Sequence, residues 1–139
     1  IMSVADTLTN APELGAGIAE EILAASIFFA EKKYDEAIAH IQQAIRIEDR
    51  MLYSEPKDWL MPARQYLGAF YLKLGRPALA EKTYREDLAW NPGNGWSLLG
   101  LCQSLSAQHR TKEIAALRVK YMESFSHADE IPPASVYMN

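Results

Sequence analysis

Residues 64–92 read RQYLGAFYLKLGRPALAEKTYREDLAWNP, and the spacing inside this stretch decides the fold. Leu67-Gly68-x2-Tyr71, then Gly75, then Ala80-x3-Tyr84, then Pro92 describe two helices joined by a tight turn. Gly68 and Ala80 are small where two antiparallel helices cross closely, and Tyr71 and Tyr84 fill the space beside them. Gly75 admits the left-handed backbone that ends the first helix. Pro92 stops the second helix and turns the chain.

The unit recurs along the chain. Shifted by a period of about 34 residues, the pattern falls on Leu101, Cys102, Leu105, His109 and Ile114, which keeps a leucine-small-x2-apolar core and places Cys102 at the small position. A second frame, Trp96-x2-Leu99-Gly100, would set the repeats 32 residues apart and leave Gln103 where an aromatic belongs, so it is set aside. Upstream, Tyr34-Asp35-Glu36-Ala37 with Ile41, Ala44 and Ile45 is a second-helix pattern, preceded by a first helix carrying Ala24, Ala25 and Phe28. Ala37 to Ala80 is 43 residues, longer than one period, so Arg50 to Trp59 holds an insertion. Its Ser54-Glu55-Pro56 reads as a break, with a fresh helix start near Asp58.

The expected architecture is all-α, a right-handed α-α superhelix of about three helical hairpins in a single domain 1–139. Repeat one covers about 18–51, the insertion about 52–60, repeat two 61–94, repeat three 95–128 and a tail 129–139. Helices are predicted over 16–31, 35–53, 58–74, 77–90, 94–108 and 111–125, and the tail, with Pro132-Pro133, as disordered or loosely docked. No segment shows sustained strand alternation.

Composition narrows the function. At 139 residues, 49% hydrophobic and 23% charged, the chain can bury a core without disulfides or metals. Fourteen basic residues against 18 acidic ones give a net charge of −4, without the basic patch that nucleic acid requires. The apolar run Ile22–Ala30 is far short of the roughly 20 residues of a membrane helix. Neither nucleic acid nor membrane is therefore an expected partner. The first residue is Ile1 and no signal-peptide pattern follows it; the chain reads as a piece of a longer protein, cytoplasmic by default.

From Ile18 to about Ala128 the sequence resembles the carboxy-terminal repeats of large bacterial tetratricopeptide proteins of unassigned function. The match rests on Asp35-Glu36-Ala37-Ile38-Ala39-His40, on Tyr53-x-Glu55-Pro56-x2-Trp59-x2-Pro62-x-Arg64 inside and after the insertion, and on Tyr84-Arg85-Glu86-Asp87-Leu88 with Asn91-Pro92-x-Asn94-Gly95-Trp96. Lys57 stands where a second proline is common, and His109 where glycine is usual. The resemblance implies a protein-interaction scaffold whose first helices line a concave groove. On that basis Gln65, Ala69, Trp96 and Gln103, with Ile22, Ser26 and Phe29 of repeat one, are expected to face the groove, and Trp59 and Arg64 flank it. Trp59 and Trp96 could equally plug the gap made by the insertion. Trp96, beside a Gly95 that frees the chain to present it, is the expected anchor, removable without loss of the fold.

Chemistry is not expected of this chain. His40, His109 and His127 lack the i, i+4 placement of a helical metal site, and Cys102 reads as a buried small hydrophobe, so no catalytic residue, metal or cofactor is assigned. Glu86 and Asp87 point in different directions on a helix, and Glu81 with Arg85 supports it at i, i+4. The residues that would clamp a peptide's terminal carboxylate in relatives are replaced by Ile22, Ser26, Tyr66, Trp96 and Gly100. The partner is thus a protein or peptide, a second copy, or the chain's own upstream repeats. The alternatives are a structural cap on a longer solenoid, and part of an enzyme whose reactive residues lie elsewhere.

Overall fold

The computed structural model describes residues 12–52, 57 and 59–137. Six α-helices run through them: α1 Pro12–Ala30, α2 Tyr34–Glu48, α3 Ala63–Lys73, α4 Pro77–Trp90, α5 Gly95–Ala107 and α6 Thr111–Ser124. No strand occurs among the described residues. The chain divides into two compact units, Ile1–Ala63 and Arg64–Asn139.

The first unit is the α1/α2 hairpin. Its core is Ile18, Ile22, Ala25, Ala37, Ile41 and Ala44, in which alanines let the two backbones approach and isoleucines fill the space between. His40 lies flat against Phe28, 5.1 Å between centroids, with Nδ1 2.6 Å from Glu21 Oε2. The last residue of α2 reaches across the insertion: Glu48 Oε2 accepts the Ala63 N–H at 2.8 Å, one of the amides that a helix start leaves unpaired.

The helix limits differ from expectation around the insertion. The second helix ends at Glu48 and not at 53, followed by tight turns from Arg50 N–H to Ile47 O and Met51 N–H to Glu48 O. The third starts at Ala63; the expected start near Asp58 lies outside the described residues. Pro62 contributes, because its ring disfavours the helical region for Met61, so the helix does not extend back through that residue.

In the second unit, Tyr84 of α4 organises the packing. Its ring is fully buried and lies between two glycines. A Cβ on Gly68 of α3 would stand 2.5 Å from the ring, and one on Gly100 of α5 closer still. The small position of the third repeat is therefore Gly100; Cys102, expected there, is half-buried to one side. The hairpin turns keep the other spacing. Gly75 (φ 67°) and His109 (φ 59°) both take the left-handed conformation, and each turn closes with the same bond, Arg76 N–H to Tyr71 O at 2.8 Å and Arg110 N–H to Leu105 O at 2.9 Å. The glycines are 32 residues apart and the turns 34, because α5 has 13 residues against 11 in α3. Each of the two competing frames describes a different part of the hairpin.

Lys32 closes the first hairpin in the same way, at φ 63°. An L side chain in this conformation costs roughly 1–2 kcal/mol, of which glycine's freer unfolded chain returns part. His109→Gly is therefore expected to raise the melting temperature by roughly 2–4 °C, measured by circular dichroism; a lower melting point would mean that the imidazole makes a contact worth more than the strain.

Glu81 ties α4 to the turn between α5 and α6. It accepts from Arg85 at 2.9 Å, Gln108 at 2.8 Å and Arg110 at 2.5 Å, so the i, i+4 pair read from the sequence extends to that turn.

Candidate functional site

The site grows from the α4–α5 turn. Asn94 caps α5, its Oδ1 accepting the Trp96 N–H at 3.1 Å, which fixes the amide's orientation and turns Nδ2 inward. There it meets Asp87 Oδ2 at 3.0 Å and Gln65 Oε1 at 3.4 Å. Asp87 is buried and also accepts from Asn91 Nδ2 at 2.8 Å and Ser97 Oγ at 2.6 Å, donors that offset the cost of removing a carboxylate from water. With its oxygen occupied by Asn94, Gln65 directs its NH2 outward from α3.

That NH2 donates to a carbonyl of the chain's own tail. Gln65 Nε2 is 2.5 Å from Ser135 O, and Gln103 Nε2 of α5 is 2.7 Å from Pro133 O. The Ser135 side chain points to the bottom of the groove, its Oγ 2.5 Å from the Tyr84 hydroxyl that emerges between Gly68 and Gly100. Burial, with the Asp87 charge adding to it, holds that phenol above its ordinary pKa, so it stays protonated at neutral pH. Tyr137 packs edge-on against Trp96 at 5.9 Å. An open pocket of about 280 Å³, lined by Ala69, Leu72, Lys73, Gln103 and residues 134–136, remains beside the segment. The tail expected to be disordered or loosely docked is thus seated, with Pro132 and Ser135 buried.

Residues 22–50, from the middle of α1 through α2, match the family model of the tetratricopeptide repeat, and α3 to α6 follow it as further helices. Residues 22–50 are a tetratricopeptide repeat. Searches of curated proteins and of solved structures returned no significant match to it.

The sequence-derived groove residues divide between the two units. Gln65, Ala69, Trp96 and Gln103 come together around the tail. Arg64 sits in the same unit with its guanidinium 5.9 Å from the Trp90 ring centroid. In the other unit, Ile22 is consumed by the hairpin core, Ser26 Oγ bonds back to Ile22 O at 2.8 Å, Phe29 packs on Tyr34 at 5.2 Å, and Trp59 Nε1 donates to Met61 O at 2.5 Å. Trp96 is half-buried and also meets Phe125 at 5.8 Å, which joins the packing role to the groove role. Gly95 serves close approach and not freedom of presentation: a Cβ there would stand 2.8 Å from Ser124 Cβ.

The sequence reading missed Tyr84 as a groove residue, since its pattern marks a core aromatic and nothing in it says that the hydroxyl crosses to the other side. Asp87 and Asn94 were legible only as helix and turn residues. Burial raises the Cys102 thiol above its ordinary pKa, a setting opposite to that of a nucleophile. Among the described residues no group of three or more His, Cys, Asp and Glu is placed to hold a metal ion, and no helix is long and apolar enough to cross a membrane.

Proposed function

We propose that the chain is a protein-interaction scaffold whose second unit binds a peptide segment in the groove between α3 and α5. The observation that carries this reading is the pair of glutamine amides, Gln65 and Gln103, each donating to a main-chain carbonyl of a non-helical segment. Amides that read backbone carbonyls accept many sequences, while Trp96 offers the aromatic anchor common at interfaces. A solenoid cap, the other structural role, needs a polar outer surface; α6 instead leaves Val119 and Met122 63% and 45% exposed, which favours binding over capping.

The test compares captured proteins. The full chain and its Gln65→Ala/Gln103→Ala variant are used as bait in an extract of the native host. Proteins retained by the wild type and lost by the variant, with melting temperatures of the two baits within a few degrees, support the groove. Identical captured sets would place any partner elsewhere.

A further inference from the structure

The segment in the groove is held by contacts of an unusual kind for a plug. A tail that merely covered apolar surface would bury its large apolar side chains. This one leaves Ile131 41% and Tyr137 69% exposed and buries Ser135, at 1%, together with the small ring of Pro132. The buried serine meets a hydroxyl, Tyr84, that arrives through a gap only two glycines could leave. Main-chain carbonyls two residues apart, at 133 and 135, are taken by two amides, one of them locked by the Asp87–Asn94 relay. Small Ala134 stands beside the pocket, and Tyr137 follows the serine by two residues onto Trp96. Each of these is a subsite: carbonyl, hydroxyl, carbonyl, aromatic.

We propose that this groove is a sequence-reading site for segments of the pattern proline–small–serine–apolar–aromatic on another protein, and that Ile131–Tyr137 is its resident intramolecular ligand, which such a partner displaces. The inference rests on the reading of the second unit as a peptide groove and adds the ligand's chemistry and its competitor. Only about six residues separate α6, ending at Ser124, from Ile131, and a short tether of this kind gives a local concentration in the millimolar range. The docked tail therefore lowers the apparent affinity for any external ligand by the fraction of time for which the groove is free.

The experiment uses the full chain and a labelled peptide of sequence Ile-Pro-Pro-Ala-Ser-Val-Tyr, capped at both ends. Ser135→Glu in the chain places a carboxylate and added volume against Tyr84, releasing the tail without altering α3 to α6; release is read independently from hydrogen exchange at residues 134–136. The expected result is peptide binding to the Ser135→Glu chain at least tenfold tighter than to wild type. It should be lost when the peptide itself carries Glu for Ser, and weakened about fivefold when the receptor also carries Tyr84→Phe, which keeps the ring but removes the hydroxyl. Release without peptide binding would show the tail to be a structural plug and overturn the proposal, while the groove could still capture partners lost in the glutamine variant. No release would overturn it as well, since the serine subsite would not be what holds the segment. If labelled wild-type chain binds the Ser135→Glu chain as tightly as the peptide does, the occupant is a second copy and the assignment to another protein fails.

Discussion

Gly100→Ala, the addition of one methyl group, is expected to lower stability by on the order of 3 kcal/mol, and Gly68→Ala by roughly 1–3 kcal/mol. Both new Cβ atoms would enter the Tyr84 ring, and this buried ring would have to shift to admit either. Overpacking of this kind is relieved by shrinking the obstacle. Tyr84→Leu alone costs packing, but in combination with Gly100→Ala the loss should be clearly less than additive, a coupling of 0.5–3 kcal/mol being typical for residues in contact. Urea melts of the four chains in the cycle measure it. Additive losses, or a Gly100→Ala chain that melts like wild type, would mean that the ring is not clasped as described.

The same contact shows how far the sequence could be read. The hairpins follow from local chemistry: small residues at crossings, left-handed turn positions, Pro77 and Pro92 at helix ends. Those rules apply to every repeat and survive the substitution of His109 for glycine, since an L residue tolerates the turn at a modest cost. The register of the third repeat is different. Shifting by one period assumes that all first helices have the same length, and the two extra residues of α5 move the close approach from Cys102 to Gly100 while the turn stays in place. The frame set aside for the wrong residue at Gln103 was the one that describes the crossing. Gln103 faces the tail and donates to Pro133 O, so the departure from pattern marks a polar neighbour where the repeat has an apolar one.

The tail was the least legible part. Pro132-Pro133 and the small residues after them carry no periodicity, and composition alone reads such a segment as loose. What seats it is a constellation scattered over the second unit, from Gln65 to Gln103, and a tyrosine hydroxyl at the far end of a core side chain. None of these has a local signature. Half of the site, Gln65, Ala69, Trp96 and Gln103, could be placed from the repeat because first-helix positions share a face; the half that binds the serine could not.

Trp96→Ala is the second large effect, and the structure changes its expected form. A tryptophan that served only a partner could be removed silently. Trp96 is half-buried and touches a ring on each side, Phe125 at the end of α6 and Tyr137 in the tail. Complete burial would put the loss near 3–5 kcal/mol; half-burial and two edge contacts, each worth about 0.5–1.5 kcal/mol, bring it to roughly 2–3 kcal/mol. The variant should therefore both melt earlier and exchange its tail amides faster. Tyr137→Ala separates the two contributions, because Tyr137 is largely exposed and contributes to the tail side alone. It should speed exchange at residues 134–136 with little change in melting temperature, while leaving the Trp96–Phe125 pair to hold α5 against α6. If Trp96→Ala lowers the melting temperature but leaves tail exchange at the wild-type rate, the indole is a packing residue of the hairpin and the aromatic subsite is lost from the groove. If it frees the tail without affecting the melt, the contact with Phe125 contributes nothing and Trp96 belongs wholly to recognition.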